Sequence, residues 1–302
     1  MEKDLFNSVE GIGGINWAEY WQKQVNHTYK TQSQDYWDSW AKKVKPKKVH
    51  SGYVNVLLPL LNISKDDTVI DVGSGTGALS LPLARTAKKV YAFDMSKASL
   101  DIVIERAKQE GLDNIEPLQG DWNQVDPQKL PQCDIAIASR SLPGGKDIAR
   151  SIWAMNEAAD LACYITWRVR GHDQLDRDIS EIIGIDIDYS PEHAILYNVI
   201  ESMGIHPNVT TFTIAHEREY ESLEDAYFQI VRSREVNSEN AQKVMQLLDE
   251  KLTHRDDRLY YMKETTWVLF GWEKSPRVYL NPEIVPDPGI YPPPGNDEDI
   301  EF

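Results

Sequence analysis

The sequence predicts an α/β fold built on a mostly parallel sheet. Three observations carry that expectation. Short apolar runs recur between residues 66 and 215 with helical patterns between them, the first run empties into Gly73-Ser-Gly-Thr-Gly77, and the second ends on an acid, Asp94. Parallel neighbours need crossover connections of this length, and helices supply them. At 302 residues the chain can bury a full core of this kind with a small appendage.

The elements follow in order. Residues 1–50 are rich in Trp, Tyr and Gln, and Trp37, Trp40, Ala41 and Val44 recur at i, i+3, i+4, i+7, the spacing of an amphipathic helix. This stretch is expected to form a helical lid, with a second apolar helix over 52–63 and the main domain over 51–273. Thr68–Val72 reads as the first strand, and Pro82 should make the helix after it irregular. Val90–Asp94 is the second strand. Ser96 can cap the next helix, which buries Leu100, Val103, Ile104 and Ala107 and stops at Gly111. Further strands are expected at 114–118, 133–139 and 162–169, then a helix at about 191–204 and a strand at 209–216. Two amphipathic helices in an insertion at 222–254, one using Leu223, Ala226, Tyr227 and Ile230 and the other Val244, Leu247, Leu248 and Leu252, precede a last strand at Thr265–Trp272. The tail, 274–302, is rich in proline and acid and can form neither a helix nor a central strand.

Composition narrows the function. A net charge of −16 repels polyanions at long range, so no nucleic-acid partner is expected. The basic run Lys42–Lys48 reads as a solvated linker. No run of about 20 apolar residues exists to span a membrane, and Met1–Gly11 lacks the apolar core of a secretion signal. We therefore expect a cytoplasmic protein with no membrane partner. Cys133 and Cys163 lie in apolar runs without a metal-binding spacing, so they read as buried thiols and no metal site is expected.

The glycine loop carries the chemistry. A chain that turns sharply and lets a ligand approach its backbone needs glycine, and a helix start offers unpaired N–H groups. Asp94, 17 residues past Gly77, can take both hydroxyls of a ribose. A nucleoside-containing cofactor follows. Gly73-x-Gly75-x-x-Ala78 also satisfies the dinucleotide fingerprint, which is weak alone. Three details favour S-adenosylmethionine: Asp71 stands two residues before the first glycine, where negative charge would serve a pyrophosphate poorly; a third glycine sits at 77; and Gly120-Asp121-Trp122 offers a carboxylate to an adenine amino group.

Val69-Ile-Asp-Val-Gly-Ser-Gly-Thr-Gly-Ala78, with Phe93-Asp94, Gly120-Asp121 and Asp134-Ile-Ala-Ile-Ala138, resembles the motif series of the class I, Rossmann-like methyltransferases over about residues 50–170. The resemblance implies a seven-stranded sheet in the order 3-2-1-4-5-7-6, the last strand antiparallel. It implies that Gly73, Gly75 and Gly77 wrap the methionine portion and that Asp71 orients the loop and the amino group. Asp94, with Met95 beside it, would meet the ribose. Asp121 would bind the adenine amino group, Trp122 would flank the ring, and Ser139 would lie at the methionine ammonium. The fourth strand ends Ala138-Ser-Arg-Ser-Leu-Pro-Gly, without the Asn/Asp-Pro-Pro-Tyr/Phe of many nucleobase methyltransferases, which argues against a nucleobase nitrogen as acceptor.

Methyl transfer to a good neutral leaving group needs alignment and desolvation above all, and a base only where the acceptor holds a proton. The acceptor side should lie over the ends of strands four and five, at Arg140, Ser141, Trp167, Arg168, Arg170 and His172. The lid faces it with Trp17, Tyr20, Trp21, Tyr36, Trp37, Trp40 and Tyr53. Of these Tyr36, Trp40 and Tyr53 are the candidates to reach the cofactor; simple packing is the other reading. No catalytic residue is fixed, and His172, Arg140 and Arg168 are the candidates. The expected activity is methylation of a small molecule. The alternatives are a protein side chain as acceptor, a nicotinamide-dependent oxidoreductase, or a non-catalytic cofactor-binding module. The 222–254 helices could cover the pocket or form a homodimer face.

Overall fold

A computed structural model describes residues 14–28, 33–43, 52–142, 147–169, 174–184, 192–231 and 236–274. One mixed sheet organises them. Its strands are β1 (Thr68–Val72), β2 (Lys89–Asp94), β3 (Ile115–Gln119), β4 (Cys133–Ser139), β5 (Ala159–Arg168), β6 (Asn208–Tyr220), β7 (Thr253–Arg255) and β8 (Arg258–Glu273). The order is β3-β2-β1-β4-β5-β8-β6, with the short β7 pairing β8 off that path. β1 through β5 run parallel, and β8 lies antiparallel between β5 and β6. The expected order therefore holds, with β8 in the place of the seventh long strand.

Helices cover both faces because β1, β4 and β5 are apolar on each. On one face α1 (Trp17–Thr28), α6 (Ile148–Ala158) and α8 (Glu192–Ser202) pack over Ile70, Ala136, Cys163, Trp167 and Phe270. On the other, α3 (Gly52–Leu57) and the five-residue α4 (Ser80–Ala84) cover Val69, Ile135, Ile137 and Leu269. Pro82 sits inside α4, which keeps that helix short. α5 (Lys97–Gln109) begins at Ser96, whose Oγ accepts from the Ser99 N–H at 3.1 Å, buries Leu100, Val103 and Ala107, and ends before Gly111 at φ 70°. α2 (Gln34–Lys43) lies against α5.

Three readings need correction. The N-terminal stretch is not only a lid: Trp21 of α1 is fully buried, its ring 5.0 Å from that of Trp167. The last strand is 16 residues long, starting at Arg258 rather than 265, because Asp256 and Asp257, at φ 50° and 58°, turn β7 directly into β8. The fifth strand begins at Ala159, three residues earlier than expected.

β6 and β8 run past the end of β5, since Arg168 pairs Trp267 while Tyr220 pairs Leu259. This overhanging ribbon carries a second core. Leu175 and Ile179 of α7 (Gln174–Ile183), Ala226 and Val231 of α9 (Leu223–Val231), and Val244 and Leu248 of α10 (Ser238–Lys251) pack on Tyr220 and Leu259. Cys133 and Cys163 are buried free thiols, and burial pushes the Cys133 thiol up to about 12. Among the described residues, no helix is long and apolar enough to cross a membrane.

Candidate functional site

The C-terminal ends of β1, β2, β4 and β5 meet at one edge of the sheet. The β1 turn is built first. Gly73, Gly75 and Gly77 have φ of 71°, 53° and 84°, values that side chains resist. Their neighbours differ. A Cβ on Gly73 would lie 2.3 Å from that of Ser141, whose hydroxyl donates to the Val72 carbonyl. A Cβ on Gly77 would press on Val103 and Leu81 at 3.2 and 3.3 Å. Gly75 has nothing within 4 Å and faces open space. Two of the glycines thus serve close packing, and the backbone of the third lies open.

Asp94 ties the turn to α5. Its Oδ2 accepts from Gly75 N–H and its Oδ1 from Ser96 N–H, both at 2.8 Å. Each oxygen keeps a lone pair for a further donor. Burial raises its pKa, opposed by those two backbone bonds. Met95 follows it, half-buried. Arg106 of α5 donates to the Thr76 carbonyl at 2.8 Å and braces the turn from behind. Asp71 is 2% exposed and accepts from Ser80 Oγ at 2.6 Å. Burial pushes it up to about 6; the Ser80 bond opposes that, and the charge of Asp94 adds to it. So enclosed, its carboxylate offers almost no open surface for contact.

A ring of hydroxyls closes the other end. The Tyr53 oxygen lies 2.8 Å from Ser139 Oγ and 2.7 Å from Thr166 Oγ1, which also accepts from the Arg140 N–H at 3.2 Å. Burial raises the Tyr53 phenol, so it stays protonated at neutral pH and serves as a donor and anchor, not a base. Its ring meets Trp267 edge-on at 4.9 Å, and the Arg140 guanidinium covers it at 4.3 Å.

Other expected residues are placed differently. Trp122 is buried against Phe93, its indole N–H bonded to the Ser151 carbonyl at 3.2 Å, which makes it part of the core. Asp121 spends its oxygens on the next turn, accepting from Asn123 N–H, Asn123 Nδ2 and Gln124 Nε2 at 3.0 Å. Tyr36 is exposed, its ring against Trp37. Arg168 is exposed at the end of β5. His172, Arg170 and the Trp40 side chain lie outside the described residues.

Asp38 and Thr166 were not anticipated. Asp38 accepts from Ser96 Oγ at 2.5 Å and Ala98 N–H at 3.2 Å, pinning α2 beside Asp94. An acid on the polar side of a helix reads as solvated, so nothing in the pattern marks it. Thr166 could have been found by its register, opposite Ser139 in the parallel ladder.

Residues 63–166 match the family model described as a methyltransferase domain. The matched segment spans β1 to β5 of the sheet, whose strand order is the one that the sequence resemblance implies. The chain is 28% identical over 270 residues to an uncharacterized protein of Haemophilus influenzae, covering 86% of this chain and 97% of that one. It is 37% identical over 68 residues to ribosomal RNA small subunit methyltransferase A of Leuconostoc mesenteroides, 22% of each. Magnesium protoporphyrin IX methyltransferase of Synechocystis, solved with bound S-adenosylhomocysteine, aligns with a TM-score of 0.43 and 15% identity over 89% of this chain and 94% of that one.

Proposed function

We propose that the chain is an S-adenosylmethionine-dependent methyltransferase acting on a small molecule. The observation that carries this is the open backbone of Gly75 beside the half-filled carboxylate of Asp94. A nucleoside amino acid fits that cradle: ribose hydroxyls on the free lone pairs of Asp94, the methionine portion across Gly75, its ammonium towards the field of Asp71. When bound, S-adenosylmethionine supplies a methyl group on a sulfonium sulfur that departs as a neutral thioether.

The protein's share is then placement. Asp94 and the glycine turn hold the donor in one orientation. Tyr53, Ser139 and Thr166 make a rigid floor where the donor's reactive end would meet an acceptor, and α2 shields the ribose end from water. The ribosomal RNA methyltransferase match covers only 22% of that enzyme, too little to carry over its acceptor. The charge of −16 argues against an RNA acceptor.

Asp94→Ala tests the placement. In protein with an unchanged melting curve, S-adenosylmethionine binding should weaken by about tenfold to a hundredfold, the worth of charge-assisted hydrogen bonds to the ribose. Unchanged affinity would move the donor elsewhere.

A further inference from the structure

We propose that Arg140 and Arg168 seat an oxyanion, a carboxylate or phosphate carried by the methyl acceptor, at the ends of β4 and β5. This rests on the methyltransferase reading and extends it by naming the acceptor's charge.

On so acidic a chain a guanidinium without a partner is unusual. Arg85 meets Glu110 at 2.5 Å, Arg255 meets Glu217 at 2.8 Å and Arg258 meets Glu219 at 3.0 Å. Among the described residues, neither Arg140 nor Arg168 forms a close ion pair or donates from its side chain to any acceptor, and both are exposed, although the charge of Arg140 reaches the buried Asp71 and favours its ionised form.

They also share a face. Thr166 turns its hydroxyl to Tyr53, and Arg168, two residues further along the strand, points to the same side. Arg168 lies directly across the ladder from Trp267. Arg140 reaches the same ring from the other strand, its guanidinium 5.8 Å from the Trp267 centroid and 4.3 Å from that of Tyr53. Stacking holds a guanidinium by its plane and leaves its N–H fork free for the two oxygens of an anion.

Further along that face of the ribbon, His216 pairs Lys263, which meets Asp176 at 3.0 Å, and Arg218 pairs Tyr261. Burial first, then the charges of Arg218 and Lys263, hold the His216 pKa down.

The backbone at Arg140 is the independent sign. It sits at φ 60°, a conformation glycine adopts without strain, and its N–H is fixed to Thr166 Oγ1. A side chain kept there at that cost is aimed. It lies over the ring of Tyr53, whose hydroxyl meets Ser139 and Thr166, and a negative acceptor there would also be drawn to a sulfonium.

The test is calorimetric titration of the full chain, saturated with S-adenosylhomocysteine, with phenyl phosphate, benzoate and neutral benzyl alcohol. Wild type should bind one or both anions and not the alcohol, and the tighter anion tells phosphate from carboxylate. Arg140→Gly, which relieves the backbone, and Arg168→Ala should each weaken anion binding by about tenfold or more. Arg85→Ala should not, and S-adenosylhomocysteine affinity should be equal in wild type, Arg168→Ala and Arg85→Ala. Equal anion binding in the variants would mean that Arg140 only packs on the rings, and would overturn the proposal. So would anion binding absent from wild type, or alcohol binding as tight as benzoate. Failure of S-adenosylhomocysteine to bind would instead overturn the donor reading, and anion titration of the free chain still reads the arginines.

Discussion

Asp71 is almost fully buried, bonded only to Ser80 among its near neighbours' hydroxyls, and pushed up to about 6 by burial. Its folded pKa lies above the ordinary carboxylate value, so the folded state holds the proton more tightly than the unfolded one. Stability is therefore lost as pH rises from 3.8 to about 6, and the whole cost is present above that range. Asp71→Asn keeps an acceptor for Ser80 and carries no charge. Denaturant titration should find it more stable than wild type by about 1–3 kcal/mol at pH 8, with the difference vanishing near pH 4. Its affinity for S-adenosylmethionine should fall, since the field that favours the ammonium is gone. A variant that is no more stable at pH 8 would contradict the burial account. Asp71 and Asp94 stand out in the sequence because position next to a glycine turn restricts what an acid there can do, and both lie against that turn in the fold. Trp122 was misplaced, because an indole that flanks a ligand and one that packs under the sheet leave the same pattern.

At the scale of elements, α2 is joined to the cofactor corner through Asp38, which bonds Ser96 and Ala98 at the start of α5. Asp38→Ala should release that helix without disturbing the sheet. Hydrogen exchange over 34–43 should rise, and S-adenosylmethionine should dissociate several-fold faster. Unchanged exchange would show that the helix is held by other contacts. The amphipathic spacing of Trp37, Trp40 and Ala41 was enough to predict this helix, and Ala41 is buried as that spacing requires. The length of β8 was not legible in the same way. Arg258–Glu264 reads as polar with scattered aromatics, and only pairing with β6 and the helices on Tyr220 and Leu259 makes it a strand.

Among the described residues, the apolar side chains gather in the sheet and its helices and, apart from these, in a smaller core on the overhanging ribbon. Leu248→Ala, at a fully buried position of the smaller core, should cost about 2–4 kcal/mol in a thermal or denaturant melt. Cofactor affinity should stay within twofold, because that core touches none of the loop residues; a large loss of affinity would mean the cores act as one. The sheet order was expected from the family resemblance that the motif series carries, and the strands follow it. The ribbon was not expected, because helices inserted before a last strand look alike whether they cap a pocket or stand apart. The central claim is that this edge binds S-adenosylmethionine, and calorimetric titration with S-adenosylmethionine, S-adenosylhomocysteine and NADH tests it most directly. Micromolar binding of both sulfur nucleosides with NADH silent is the predicted result. Binding of NADH alone, by folded protein, would contradict it.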